Sequence, residues 1–130
     1  MKKTIFIVDD SLTNLSIAEE ALEKHYDVMT MTSAANMFTI LEKVRADLIL
    51  LDISMPEMNG FDAIKLLKSS KQYAEIPVIF LTAMSDSYNE AYGKELGAVD
   101  FIVKPFSDLF LLERVGHHFG FGNAEQIKIN

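Results

Sequence analysis

Five short apolar runs, Thr4–Val8, Asp27–Met31, Leu48–Leu51, Val78–Leu81 and Val99–Val103, divide the chain at regular intervals and limit what it can fold into. All but the second are nearly continuous in hydrophobicity, as parallel strands covered on both faces must be. The second, "DVMTMT", alternates and fits an edge strand. Between the runs, apolar residues recur three or four apart, the helical spacing. They are Leu15, Ala18 and Leu22 in Leu12–Lys24; Met37, Ile40, Leu41 and Val44 in Ala34–Val44; and Ile64, Leu66 and Leu67 in Gly60–Ser69. Further helices are expected at Ser85–Leu96 and Ser107–Phe119, with Ser33, Ser85 and Ser107 as N-caps and Gly97 as a stop. Strict alternation of strand and helix implies right-handed βαβ units in one open parallel sheet, a doubly wound (βα)5 fold of the α/β class.

A length of 130 residues suits one compact domain with its own core. That domain is expected over residues 1–120. The pattern dissolves in 121–130, expected to be a C-terminal tail or the start of a linker. No apolar run approaches the roughly 18 residues of a membrane span. The absence of cysteine rules out disulfides and thiolate metal sites and favours a reducing compartment. Acids arrive at Asp9 before a signal-peptide core accumulates, so a cytoplasmic protein is expected. Twelve basic and nineteen acidic residues give a formal charge of -7, which repels a phosphate backbone and argues against direct nucleic-acid binding.

In a sheet ordered 2-1-3-4-5, ligands collect beyond the carboxyl ends of the first and third strands, where strand order reverses. Asp9 and Asp10 follow the first run and Asp52 the third. Taken singly, each such acid is an ordinary cap or turn residue. Three converging carboxylates repel one another unless a cation or a proton compensates them. Oxygen ligands of this kind suit a hard divalent cation, Mg²⁺ or in its place Mn²⁺. Thr82 and Lys104, at the ends of the fourth and fifth runs, add a hydroxyl and an ammonium. Such a set is suited to neutralising a transferring phosphoryl group, with one carboxylate as the nucleophile.

The segments "FIVDDS", "LILLDISMPEMNG", "IPVIFLTA" and "ELGAVDFIVKPF" occur in that order at the expected strand ends. Over about residues 3–119 the chain resembles the receiver domains of two-component response regulators. The resemblance implies that Asp52 is a phosphoacceptor, charged by a partner histidine kinase or phosphotransfer protein. It implies that Mg²⁺ is held by Asp10 directly, by Asp9 through water, by Asp52, and by the backbone carbonyl of Ser54. Thr82 becomes the switch hydroxyl, Lys104 its charged companion and Phe101 the rotameric aromatic switch, with a cis Lys104–Pro105 bond. The domain would then be a switch rather than a turnover enzyme, altering the surface of its fourth helix, fifth strand and fifth helix. Ser54 and Met84 would set the lifetime of the phosphoryl group, and Met84, unable to orient a water, points to slow reset.

The output domain or partner is left open. The wording "IPVIFLTAMSD…LGAVDFIVKPF" resembles receivers often joined to cyclic-dinucleotide enzymes. Phe110 stands where DNA-binding relatives often carry a Glu that supports a symmetric dimer, so a monomer and a phosphorylation-dependent homodimer both stay open. Phe110, Phe119 and Phe121 either line a partner surface or pack as core and tail. Pro56 and Gly60 are expected to shape the loop after Asp52, Pro by fixing φ and Gly by permitting φ > 0. His25 is expected at the surface, and His117 and His118 at the end of the last helix, where cations suit the dipole.

Competing readings fit less well. A pseudo-receiver, an interaction module that is not phosphorylated, would have lost Asp52, the acid pair or Lys104, and none is lost. Aspartate-nucleophile phosphatases place Asp-x-Asp after the first strand, whereas here the acceptor follows the third and position 54 is Ser. A flavodoxin-like FMN site needs phosphate-binding donors where this chain has "DDS".

Overall fold

Apolar continuity decides which strands lie inside the sheet. β1 (Thr4–Val8), β3 (Leu48–Asp52) and β4 (Val78–Thr82) are buried almost end to end, while β2 (Asp27–Met31) and β5 (Asp100–Val103) each expose part of their length. In the computed structural model, which describes residues 2–83 and 87–120, the five strands are parallel and ordered β2-β1-β3-β4-β5. The alternating "DVMTMT" run is an edge strand, as its pattern requires. The helices are α1 (Leu12–Leu22), α2 (Ala34–Leu41), α3 (Gly60–Ser69), α4 (Ser87–Glu95) and α5 (Asp108–His118). None of the described helices is long and apolar enough to cross a membrane.

The two-residue period of the strands splits the core between the faces of the sheet. Ile5, Ile7, Leu48, Leu50, Ile79 and Leu81 pack with Leu15 and Leu22 of α1 and Leu111 and Val115 of α5. Phe6, Val8, Ile49, Leu51 and Phe80 pack with Met37 of α2 and Ile64 and Leu67 of α3 on the other face. Ser33 and Ser107 cap α2 and α5 by accepting from Asn36 N–H and Phe110 N–H. Gly97 follows α4 at φ 114, a left-handed stop.

Several boundaries differ from the sequence expectation. Asp52 and Thr82 are the last rungs of β3 and β4, paired with Leu81 and Val103, because the β3–β4 and β4–β5 ladders run on past the apolar runs. β5 begins at Asp100, leaving Val99 43% exposed. α1 stops two residues early because Tyr26, buried, returns its N–H to Leu22 and draws the chain into β2. α2 stops at Leu41, where Lys43 and Val44 both donate to the Ile40 carbonyl and close the last turn. Leu66 lies off the buried face of α3 and is exposed. α4 begins at Ser87, and the expected cap Ser85 lies outside the described residues, as do Met84, Phe121 and the rest of 121–130.

Gly60 has a different role from the one its residue type suggested. The left-handed residue of the loop after Asp52 is Glu57, at φ 69. At Gly60 the constraint is space: a Cβ there would lie 2.6 Å from the Asp52 carbonyl oxygen and 2.9 Å from Ile53 Cα. Both are backbone atoms and cannot swing aside. Gly60→Ala is expected to lower stability by about 1–3 kcal/mol, read as a reduced urea midpoint with an unchanged m-value. An unchanged midpoint would show that the loop yields freely.

Candidate functional site

The carboxyl ends of β1, β3, β4 and β5 open on one side of the sheet. Asp9 follows β1 directly and is fully buried. Its N–H donates to the Met31 carbonyl at 3.1 Å, and its Oδ1 accepts from Ser11 N–H at 2.9 Å. Ser11 in turn caps α1, so helix and carboxylate are fixed by one short loop. Asp10 is exposed beside it. Asp52, 3% exposed, closes β3 between two interior neighbours.

Lys104, just past β5, reaches across the end of β4 to both buried acids. Its Nζ lies 3.0 Å from Asp9 Oδ2 and 3.1 Å from Asp52 Oδ1. Its backbone N–H donates to the Thr82 carbonyl at 2.7 Å, and the Lys104–Pro105 bond is cis. Asp9, Asp10 and Asp52 each bring one oxygen within 4.8 Å of the others. The sequence-predicted Asp9, Asp10, Asp52 and Lys104 are therefore brought together. Thr82, buried, joins them through the backbone, and Ser54, exposed, lies two residues past Asp52, where its backbone favours the charged carboxylate.

The charges do not balance. Burial, and then the neighbouring Asp9 charge, push the Asp52 carboxyl up to about 6, against the lowering effect of Lys104 and the Ser54 N–H. Burial alone would pull Lys104 down, but its hydrogen bonds to Asp9 and Asp52 and their charges outweigh that and raise it. One ammonium thus serves two buried carboxylates, with the third, Asp10, exposed beside them. A donor set of closely spaced carboxylate oxygens fits a hard divalent cation, which would relieve the excess.

Phe101 lies outside this pocket. It is half-buried on β5, with its ring 5.3 Å from that of Phe80. Phe119, one of three phenylalanines left open between core and partner surface, packs against Tyr26 at 5.5 Å, whereas Phe110 is 46% exposed.

A second polar cluster escaped the sequence reading. Asp100, buried in β5, accepts at Oδ2 from Arg114 Nε at 2.8 Å and from the same guanidinium's terminal nitrogen. His118 Nε2 lies 3.0 Å from that oxygen, and Oδ1 accepts from Phe101 N–H at 2.8 Å. His118 therefore does more than favour a helix end: it ties α5 to β5. A carboxylate inside the apolar run "VDFIV" was the available signal, since a buried acid demands partners. Burial raises the Asp100 carboxyl, but its hydrogen bonds to His118, Arg114 and Phe101 outweigh that and hold it below the usual aspartate value.

Five parallel strands in this order, flanked by five helices, with an acid cluster at the point of strand reversal, define a CheY-like receiver fold. The chain belongs to the response regulator receiver domain family, whose model matches residues 5–116, and so to two-component signalling. It is 40% identical over 127 residues to a probable cyclic di-GMP phosphodiesterase of Vibrio cholerae, covering 98% of this chain and 29% of that protein. It is 34% identical over 116 residues to the response regulator PleD of Caulobacter vibrioides, covering 88% and 26%. This chain thus spans under a third of the length of either relative. Among solved structures, the chemotaxis response regulator CheY4 of Vibrio cholerae superposes with a TM-score of 0.85 at 29% identity, covering 90% of this chain and 98% of that one.

The two acids predict opposite pH behaviour. A raised Asp52 means that the folded state binds the proton more tightly, so without divalent cation stability falls as pH rises from about 4 through 6. Asp52→Asn in EDTA at pH 8 is expected to be more stable than wild type by roughly 1–2 kcal/mol, with the gap closing by pH 4. Equal stability at both values would contradict this. The lowered Asp100 contributes stability present above about pH 4 and lost on further acidification. Asp100→Asn should flatten that acid limb in thermal melts and cost about 1–3 kcal/mol at pH 7.

Proposed function

We propose that the chain is a phosphorylation-activated switch in which Asp52 accepts a phosphoryl group from phosphohistidine on a partner histidine kinase or phosphotransfer protein. The observation that carries this reading is Asp52, buried at the strand end and held 3.1 Å from Lys104 beside Asp9 and Asp10. An Asp52 oxygen attacks phosphorus, the P–N bond breaks, and the departing imidazole takes up a proton. A bound Mg²⁺, or Mn²⁺ in its place, would offset charge on the phosphoryl oxygens. Asp10, Asp9, Asp52 and the Ser54 carbonyl would hold it. The Lys104 ammonium, already at Asp52, pairs with one phosphoryl oxygen, and the Thr82 hydroxyl donates to another.

Thr82 drawn toward the phosphoryl group leaves room into which Phe101 can move, changing the α4–β5–α5 surface that an output reads. Water then hydrolyses the acyl phosphate and resets the switch, slowly if Met84 lies where a water must be oriented. The domain performs only its own phosphorylation and dephosphorylation. Residues 1–120 form the receiver and 121–130 begin a tail or linker, in a cytoplasmic protein acting as a monomer or as a phosphorylation-dependent homodimer. Similarity to a protein named as a probable cyclic di-GMP phosphodiesterase supports an output in cyclic-dinucleotide turnover. Retention of Asp52, the acid pair and Lys104 favours this reading over a module that is never phosphorylated.

Incubation with acetyl phosphate and Mg²⁺ should add one phosphoryl mass to the intact wild type and none to Asp52→Asn. An equal gain on both would overturn the acceptor assignment. Lys104→Ala should slow the gain by about 10²-fold or more.

A further inference from the structure

α4 carries a glycine in its interior, where glycine is the least favoured residue apart from proline. Gly93 is not among the residues at positive φ, so backbone freedom does not account for it. Contact does. A Cβ built there would lie 2.3 Å from Cζ and 2.9 Å from Cε1 of Phe101, and 3.1 Å from Cδ2 of Phe80. The ring of Phe101 is therefore laid against the bare backbone of α4, with Phe80 beside it at 5.3 Å between centroids. The preceding residue of the helix, Tyr92, packs on Phe61 at 5.0 Å, and Phe61 packs on Phe80 at 5.4 Å. Rings from α3, β4 and β5 thus grip one short stretch of α4.

We propose that Gly93 is a positioning residue for the switch: it is the seat of Phe101, and through it the ring and α4 move as one unit. The inference rests on the reading of Phe101 as the switch aromatic and adds what that reading leaves out, the means by which a ring on β5 commands a helix. Any side chain at 93 displaces the ring, because Cζ is the free edge of a group that can turn about its own torsions. The backbone of α4 is spared, and so is the acid pocket, which contains neither residue.

The test uses protein with ¹³C-labelled phenylalanine rings, Phe101 being assigned by its loss in Phe101→Leu. In wild type without phosphoryl donor, the Phe101 ring signals should be displaced by the ring current of Phe80. In Gly93→Ala they should lose most of that displacement, while the buried Phe6 signals stay in place and report an intact core. Unchanged Phe101 ring signals in folded Gly93→Ala would overturn the proposal. Should Gly93→Ala fail to fold, the double variant Gly93→Ala/Phe101→Ala must fold again, because the clash is with that ring; a double variant that stays unfolded also overturns it. The mass gain from acetyl phosphate is measured in parallel. Wild type without it refutes the phosphoacceptor reading, whereas the ring signals still decide the role of Gly93.

Discussion

The ammonium of Lys104 holds the upper end of the sheet together. It comes from an edge strand, passes the end of β4 and meets acids from β1 and β3, so one side chain ties three strands at the point where strand order reverses. Asp9 and Asp52 are buried because the strands that carry them are interior, and burial strengthens both their repulsion and their hold on Lys104. One ammonium cannot balance the two carboxylates it touches, and Asp10 adds a third charge nearby. The pocket is left with an excess of negative charge that a divalent cation would relieve, and the free energy of that relief would favour binding one.

The site's second constraint is steric. Phe80 approaches the Gly60 position at one edge, with Cε1 3.0 Å from where a Cβ would stand, and the Gly93 position at the other. The same ring therefore borders the loop that follows Asp52 and the seat of Phe101. Both glycines are there because atoms from distant parts of the chain approach them, and neither lies at positive φ. Packing this close resists continuous deformation, a property that the proposed switch would draw on.

The strands and the acids at their ends are legible in the sequence because each rests on a local pattern, an apolar run, a helical period, a charge at the end of a strand, while the order of the strands is one common to doubly wound sheets. Asp52, Asp9, Asp10 and Lys104 could be grouped before any coordinates because topology alone brings those strand ends together. What stayed hidden depended on contacts between distant segments. Asp100 with Arg114 and His118, the exposure of Leu66 and the steric need for glycine at 60 and 93 all follow from which ring or carbonyl arrives from elsewhere. Even at Gly60, where the residue type suggests backbone freedom, the cause is a carbonyl at 2.6 Å.

The central claim is that the pocket is short of positive charge and that Asp52 feels the deficit. It is tested most directly by following the carboxyl ¹³C resonance of Asp52 through a pH titration, first in EDTA and then with Mg²⁺. The account predicts a midpoint near 6 without the cation and a clear fall when it is added. A midpoint near 4, the ordinary aspartate value, that does not respond to Mg²⁺ would contradict it.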